Sequence, residues 1–371
     1  MLHSLAHARP LFIAEILQFG GAERSLLALS AWLHRNSLPH YLLTYADHCN
    51  LAQYATHPVT IVELKPPLLP TRKIAALKHH ARDRGSSAFA PLVSGYQPAL
   101  HATIAGMRGF HCLMHDTPSL FGDAPHRSLR NKMRIAISNA IAARGLRSGG
   151  ATIVTSDFLR SECRRDFGVD AHIARMGGLG NNSPAPRIRP VTDQLRMLSV
   201  CRIEANKRID WMLRALAALE HAPESFSARI DWRLDLAGSG TQIPALTAMA
   251  TSLGIADRVH LHGFVSDREL AHLYDRAHLF LMPAIQGYGI PAIESLQRGI
   301  PVLLHRQSGV SDILLDTPWA TVLHGEESTL LPALRQAIEN VLAGRHHTAS
   351  KPTRPTEEQW AERVAQLCHW I

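Results

Sequence analysis

Cysteine is scarce: five residues in 371, at positions 49, 112, 163, 201 and 368, with no two set as Cys-x-x-Cys. That scatter excludes a disulfide framework and leaves reduced, structural thiols as the expectation. The chain also lacks a His/Cys cluster of zinc spacing, an Asp-x-Asp and a Walker A loop, so neither a bound metal nor a P-loop is expected. No apolar run approaches the length that spans a bilayer, and the first ten residues carry no cleavable signal pattern. The expected compartment is therefore the cytoplasm, with the inner face of the membrane as the alternative. Aromatic residues make up only 6%, and no stacking pattern or recognition module accompanies the positive charge, which argues against nucleic acid as a partner.

What is present suits an α/β enzyme. With 46% hydrophobic residues the chain can bury two ordinary cores. Apolar runs at 11–17, 40–44, 59–63, 89–93, 110–114, 151–155 and 171–174 read as strands, separated by helix-length segments such as 22–35 and 71–84. A second series of strands falls at 197–201, 230–237, 259–262, 279–282 and 302–304. Such alternation implies parallel sheets covered by helices on both faces. Between the two series, 177–190 holds three glycines and three prolines and resists both helix and sheet. The expected organisation is a first Rossmann-like domain at 1–178, a linker at 179–190, a second at 191–355 and a last helix at 356–371.

Charge is uneven. The formal net charge is +8, and 126–150 contains Arg127, Arg130, Lys132, Arg134, Arg144 and Arg147 with no acidic residue. Interleaved Leu129, Met133, Ile137, Ile141 and Leu146 give this segment the pattern of a basic amphipathic helix. It suits an anionic membrane surface, or else a helix packed on the sheet with a solvated basic face.

The densest chemistry lies at 278–305. A short apolar strand ends at Pro283; Gly287 and Gly289 allow a tight turn that can bring backbone N–H groups to a ligand; Pro291 then opens a helix. An anion fits at such a helix start. Glu294 is expected in its first turn, where a carboxylate can accept two hydrogen bonds from a diol.

This stretch resembles the Glu-x7-Glu signature of retaining glycosyltransferases of the GT-B class, grouped as glycosyltransferase family four, with Gln286 at the first position and Glu294 at the second. Three further segments are similar to that family in order and spacing: Phe19-Gly20-Gly21-Ala-Glu-Arg24, Val200-Cys-Arg202 through Lys207-Arg208, and Leu236-Ala-Gly238-Ser-Gly240 followed by Val259 to Val265. The resemblance implies two Rossmann-like domains facing across a cleft. It implies that Arg202 and Lys207 neutralise a donor diphosphate, that the backbone of Gly287, Tyr288, Gly289 and Ile290 adds hydrogen bonds to it, and that Glu294 holds the ribose. The segment Gly263, Phe264, Val265 would line the base. In the first domain, Gly20 and Gly21 would approach the diphosphate or sugar, with helix capping as the alternative. His115 occupies the place where related enzymes carry a histidine that contacts the donor sugar.

The activity so implied is transfer of a sugar from a nucleotide diphosphate sugar, with retention and without metal or other cofactor. The acceptor hydroxyl would lie on a lipid-linked molecule, a polysaccharide or another glycoconjugate. Because Gln286 is neutral, a covalent glycosyl-enzyme built on a carboxylate pair is not supported. Two alternatives stay open: a nucleotide-sugar-binding protein without transfer activity, and an epimerase of the same architecture. An NAD-dependent oxidoreductase is disfavoured, since neither Gly20-Gly21 nor Gly238-Ser-Gly240 extends to Gly-x-Gly-x-x-Gly.

Overall fold

The computed structural model describes residues 7–66, 69–83, 88–118, 129–177, 189–222, 230–353 and 355–371. The chain divides into two compact units, Met1–Met176 with Pro355–Ile371, and Gly177–Arg354.

The first unit runs β1 (Arg9–Phe12), α1 (Gly21–Arg35), β2 (His40–Thr44), β3 (Ile61–Glu63), α2 (Pro70–Asp83), β4 (Leu92–Ser94), α3 (Tyr96–Ile104), β5 (His111–Met114), α4 (Leu129–Leu146), β6 (Thr152–Val154), α5 (Asp157–Phe167) and β7 (His172–Ile173). Its seven strands are ordered β3-β2-β1-β4-β5-β6-β7, and the pairings are parallel. The final helix, α11 (Glu357–Leu367), lies in this unit against α1. Helix α11 stops at Leu367 rather than running to the end, because His369 takes φ +53° and turns Trp370 back into the core. There Arg9 Nη2 donates to the Trp370 carbonyl at 3.0 Å.

The second unit runs β8 (Gln194–Val200), α6 (Ile209–Glu220), β9 (Asp231–Ala237), α7 (Ile243–Ser252), β10 (Val259–Gly263), α8 (Asp267–Arg276), β11 (Leu279–Met282), α9 (Ile290–Gln297), β12 (Val302–His305), β13 (Ala320–Leu323) and α10 (Leu330–Leu342). Its order is β10-β9-β8-β11-β12-β13, again parallel. Strand residues are buried on both faces, as in Leu279, Phe280 and Leu281, because helices cover both sides of a parallel sheet. One strand, β13, escapes the sequence reading: Ala-Thr-Val-Leu is only partly buried at this edge and lacks the long apolar run of its neighbours.

Both orders reverse direction once, between β1 and β4 in the first unit and between β8 and β11 in the second. In open α/β sheets the loops that follow the strands on either side of such a reversal diverge and leave a crevice at the carboxyl ends, where ligands bind. That rule selects the loops after β8 and β11, and those after β1 and β4.

The limits of β1 differ from the expected 11–17. The strand starts at Arg9, paired with His40, and ends at Phe12; beyond it the backbone still pairs irregularly, through Ile13 N to Leu43 O at 3.0 Å, Tyr45 N to Ala14 O at 2.9 Å and a bridge from Ile16 to Asp47. Of the linker, 179–188 lies outside the described residues.

Candidate active site

In the second unit, the loop after β8 carries Arg202 and Lys207. Arg202 is exposed, and Lys207 ends a 3-10 turn, Ala205–Lys207. The next residue, Arg208, takes φ +55° to start α6, and its guanidinium lies 4.2 Å from the Trp211 ring centroid. Lys207 Nζ thereby reaches across the sheet reversal and donates to Gln286 Oε1 at 3.3 Å. The cation of one loop and the amide of the other are thus already together.

The β8 loop is held by the one after β9. Ile203 N donates to Ser239 O at 2.8 Å, and Glu204 accepts from Thr241 N at 3.1 Å and Thr241 Oγ1 at 2.7 Å. Such an approach needs glycine: at Gly238, with φ +138°, a Cβ would stand 1.8 Å from Cys201 O, and at Gly240 one would stand 2.2 Å from Ile203 O. The function of Gly238-Ser-Gly240 here is to seat the Arg202 loop. Gly238→Ala is accordingly expected to cost on the order of 3 kcal/mol, combining a clash with backbone and a disfavoured φ. Gly263→Ala, at φ +67° with open space around it, should cost only about 1 kcal/mol. Urea midpoints of the two variants check the difference.

After β11 the chain passes through half-buried Gln286 into buried Gly287, Tyr288 and Gly289. The loop is fixed to the one after β12 by Gly309 N to Gln286 O at 3.1 Å, Val310 N to Tyr288 O at 3.0 Å and Ser308 Oγ to Tyr288 O at 3.2 Å. Gly289 has φ +117° and packs where a Cβ would meet Met282 Cε at 2.7 Å. Helix α9 starts directly after it at Ile290, with Pro291 in its first turn.

Glu294 is the fifth residue of α9, so the expected first-turn position is corrected to the second turn: the left-handed Gly289 lets the helix begin one residue before Pro291. Its side chain is 5% exposed and Oε2 accepts from Tyr274 Oη at 3.0 Å, while the Arg298 guanidinium lies over the Tyr274 ring at 4.5 Å. Tyr274, on α8, carried no signal in the sequence as a partner of Glu294. At the end of β10, Gly263 accepts from Gly238 N at 2.8 Å; Val265 is half-buried and Phe264 is 85% exposed. An aromatic ring left in water at a strand's carboxyl end is available to cover a planar ligand.

In the first unit, Gly20 is the residue that caps α1, and its N–H donates to Glu23 Oε2 at 3.0 Å. The capping role is therefore filled, and by a carboxylate, at the place where a diphosphate was expected to approach Gly20 and Gly21. His115 follows β5, and its Nε2 pairs with Ser94 Oγ at 2.8 Å, at the end of β4. Burial pushes its pKa down to about 4, so the imidazole is neutral at pH 7, where it can donate from one nitrogen and accept at the other. Around it opens a cavity of about 630 Å³ lined by Glu15, Tyr96, Asp116, Asn131 and Arg134 among others. Lys73 forms an ion pair with Glu15.

Helix α4 forms one wall of this cavity. Its last turns are buried through Ala142, Ala143, Gly145 and Leu146, and a Cβ on Gly145 would stand 1.9 Å from Thr103 Oγ1 of α3. Its first turns are not. Met133 is 62% and Ile137 57% exposed, beside exposed Arg130, Lys132 and Arg134. His126 and Arg127 lie outside the described residues. Of the apolar stripe, Leu146 is buried and Ile141 half-buried, whereas Met133 and Ile137 face solvent.

Among the described residues no group of three or more His, Cys, Asp or Glu is placed to hold a metal ion, and no helix is long and apolar enough to cross a membrane.

Two parallel, doubly wound sheets of this order define the GT-B fold class, and solved glycosyltransferase structures agree. WaaG, described as a glycosyltransferase involved in lipopolysaccharide biosynthesis, matches with a TM-score of 0.71 at 17% identity, over 97% of this chain and 99% of that one. HepE of Anabaena, solved in complex with UDP and glucose, matches with a TM-score of 0.71 at 17% identity, over 98% of this chain and 100% of that one. At such identity the likeness is one of fold. By sequence, residues 185–360 match the family described as glycosyl transferases group 1. The GDP-mannose-dependent alpha-(1-6)-phosphatidylinositol monomannoside mannosyltransferase of Mycolicibacterium smegmatis is 28% identical over 249 residues, covering 60% of this chain. The alignment spans 62% of that relative, less than two thirds of its length.

Proposed function

We propose that this chain is a metal-independent, retaining glycosyltransferase that passes a sugar from a nucleotide diphosphate sugar to an acceptor hydroxyl. The observation that carries the reading is the Lys207–Gln286 contact at the sheet reversal, between the two loops that the family match also covers. A diphosphate lying there meets the Lys207 ammonium, the Arg202 guanidinium and the start of α9. These groups act chiefly on the charge that builds on the leaving diphosphate as the glycosidic bond breaks, and they supply the positive charge that a metal ion supplies elsewhere. Glu294, with Tyr274 fixing one oxygen, is assigned to the ribose, and Phe264 to the base. In the first unit, neutral His115 is assigned to hydroxyls of the transferred sugar, and the cavity beside it to the acceptor.

The test is incubation with a panel of nucleotide sugars and hydroxyl acceptors, with and without a chelator. Product with the donor's own anomeric configuration by NMR, undiminished by chelation, is expected. Inverted product contradicts retention, a chelator-sensitive rate contradicts metal independence, and an isomerised donor without transfer indicates the epimerase.

We further propose that the acceptor is lipid-linked and that α4 rests on an anionic membrane, in the cytoplasm at the inner face. Exposed Met133 and Ile137, four residues apart and flanked by three cations, support this reading, since apolar side chains left in water gain by entering the headgroup boundary. The relative from Mycolicibacterium smegmatis, whose name specifies a phosphatidylinositol monomannoside, lends the same support. Co-sedimentation with anionic vesicles should fall as salt rises and drop at least tenfold in a variant carrying Arg130→Glu and Arg134→Glu. Sedimentation unaltered by either change contradicts it.

A further inference from the structure

A second cavity of the first unit, about 720 Å³, belongs to neither the fold's usual ligand edge nor the chemistry proposed above. It lies between the sheet and α2 and α3. Phe89 to Pro91, just before β4, and Gly106 to Gly109, just before β5, set it toward the amino ends of the strands, whereas Ser94 and His115 stand at their carboxyl ends. Its size is within the roughly 300 to 1,000 Å³ of small-molecule pockets.

The lining divides by chemistry. Phe12, Tyr41, Leu43 and Leu77 are buried and make an apolar floor. The polar atoms of that floor face one another, with Tyr41 Oη and His80 Nε2 at 3.1 Å. Phe89 closes one side, with the Arg9 guanidinium 3.9 Å from its ring centroid. Among the described residues, the charged ones in the lining are Lys78, Arg82 and Arg108, all exposed, with no carboxylate among them. Asp83, next along α2, pairs with His79 at 3.2 Å and does not line the cavity.

An apolar body and an anionic head are what such a lining accommodates. A floor whose hydroxyl and imidazole are engaged with each other has little side-chain capacity to read a sugar or the edge of a base, while the cations at the mouth suit phosphate. We propose that this cavity is a binding site for a single-chain alkyl phosphate, distinct from the donor and acceptor sites. The alkyl chain lies along Phe12, Leu43 and Leu77, and the phosphate sits at Lys78, Arg82 and Arg108.

The experiment is isothermal titration of the whole protein with hexyl, octyl and decyl phosphate, each below its micellar concentration, with inorganic phosphate and decyl maltoside in parallel. Each added methylene should tighten binding roughly three- to fourfold until the chain fills the cavity. Inorganic phosphate and decyl maltoside should bind at least tenfold more weakly than decyl phosphate. Two changes should each weaken decyl phosphate roughly tenfold: the pair Arg82→Glu with Arg108→Glu, and Ala81→Trp, which places an indole in the lining. Thermal melting and circular dichroism of the same variants, expected to match the wild type, confirm that they fold. Equal binding of inorganic phosphate and decyl phosphate, no chain-length trend, or full affinity in the folded variants overturns the proposal. Because the readout is binding of the alkyl phosphate itself, it stands or falls independently of sugar transfer.

Discussion

Lys207→Ala and Arg202→Ala should each lower kcat/KM for the nucleotide-sugar donor roughly ten- to a hundredfold, which corresponds to about 1.5 to 3 kcal/mol for a lost charge-assisted contact to phosphate. The two variants are not equivalent. Lys207 holds Gln286 at 3.3 Å, so its removal also frees the amide that, at the first position of the signature, is expected to orient the transferred sugar. Arg202 is exposed and is assigned to the diphosphate alone. Lys207→Ala should therefore lose kcat as well as donor affinity, and Arg202→Ala should lose mainly affinity. Steady-state kinetics across a donor titration separates them, and wild-type constants in both folded variants would remove this loop from the site.

Glu294→Ala should weaken nucleoside diphosphate binding roughly tenfold or more, measured by calorimetry without any sugar attached, because the carboxylate is assigned to ribose and not to the transferred group. Burial adds a second expectation. At 5% exposure with Tyr274 Oη on Oε2, truncation leaves a buried hydroxyl with one bond fewer, which destabilises by about 1 to 3 kcal/mol. Glu294→Gln keeps an acceptor oxygen for Tyr274 and should be the milder change in both readouts. Unchanged nucleotide affinity in Glu294→Ala would leave the residue a purely structural part of α9.

The sequence makes the sheets legible because parallel strands are apolar on both faces: 40–44, 279–282 and 302–304 show as short hydrophobic runs. Edge and end effects are less visible. Strand β13 has one partner and mixed burial, and the start of β1 is set by pairing of Arg9 with His40, which no local pattern encodes. At the site, glycines mark the turns but not their purpose. Gly289 shapes the start of α9, whereas Gly238 and Gly240 serve contact between backbones, and Gly20 is a helix cap closed by Glu23. Partners distant in sequence are the least legible: Tyr274 is 20 residues from Glu294, Gln286 is 79 from Lys207, and Ser94 is 21 from His115. Helix α4 shows the same limit, since its apolar spacing suits a membrane-facing helix and a sheet-packed one alike, and the exposure of Met133 and Ile137 is visible only in the structure.

Gln286 is the departure from the signature that bears most on whether the chain transfers a sugar. An amide in place of a carboxylate keeps one acceptor oxygen, adds two donor hydrogens and removes a negative charge at nearly constant size. With Arg202, Lys207 and Glu294 in place, orientation of the sugar is expected to suffice for transfer by the wild type. The most direct measurement is product formation by the wild type and by Gln286→Glu, side by side, across one panel of donors and acceptors. Activity in both, with a shifted donor preference, is the predicted result; activity that appears only in Gln286→Glu contradicts the enzyme reading and makes the natural chain a nucleotide-sugar-binding protein.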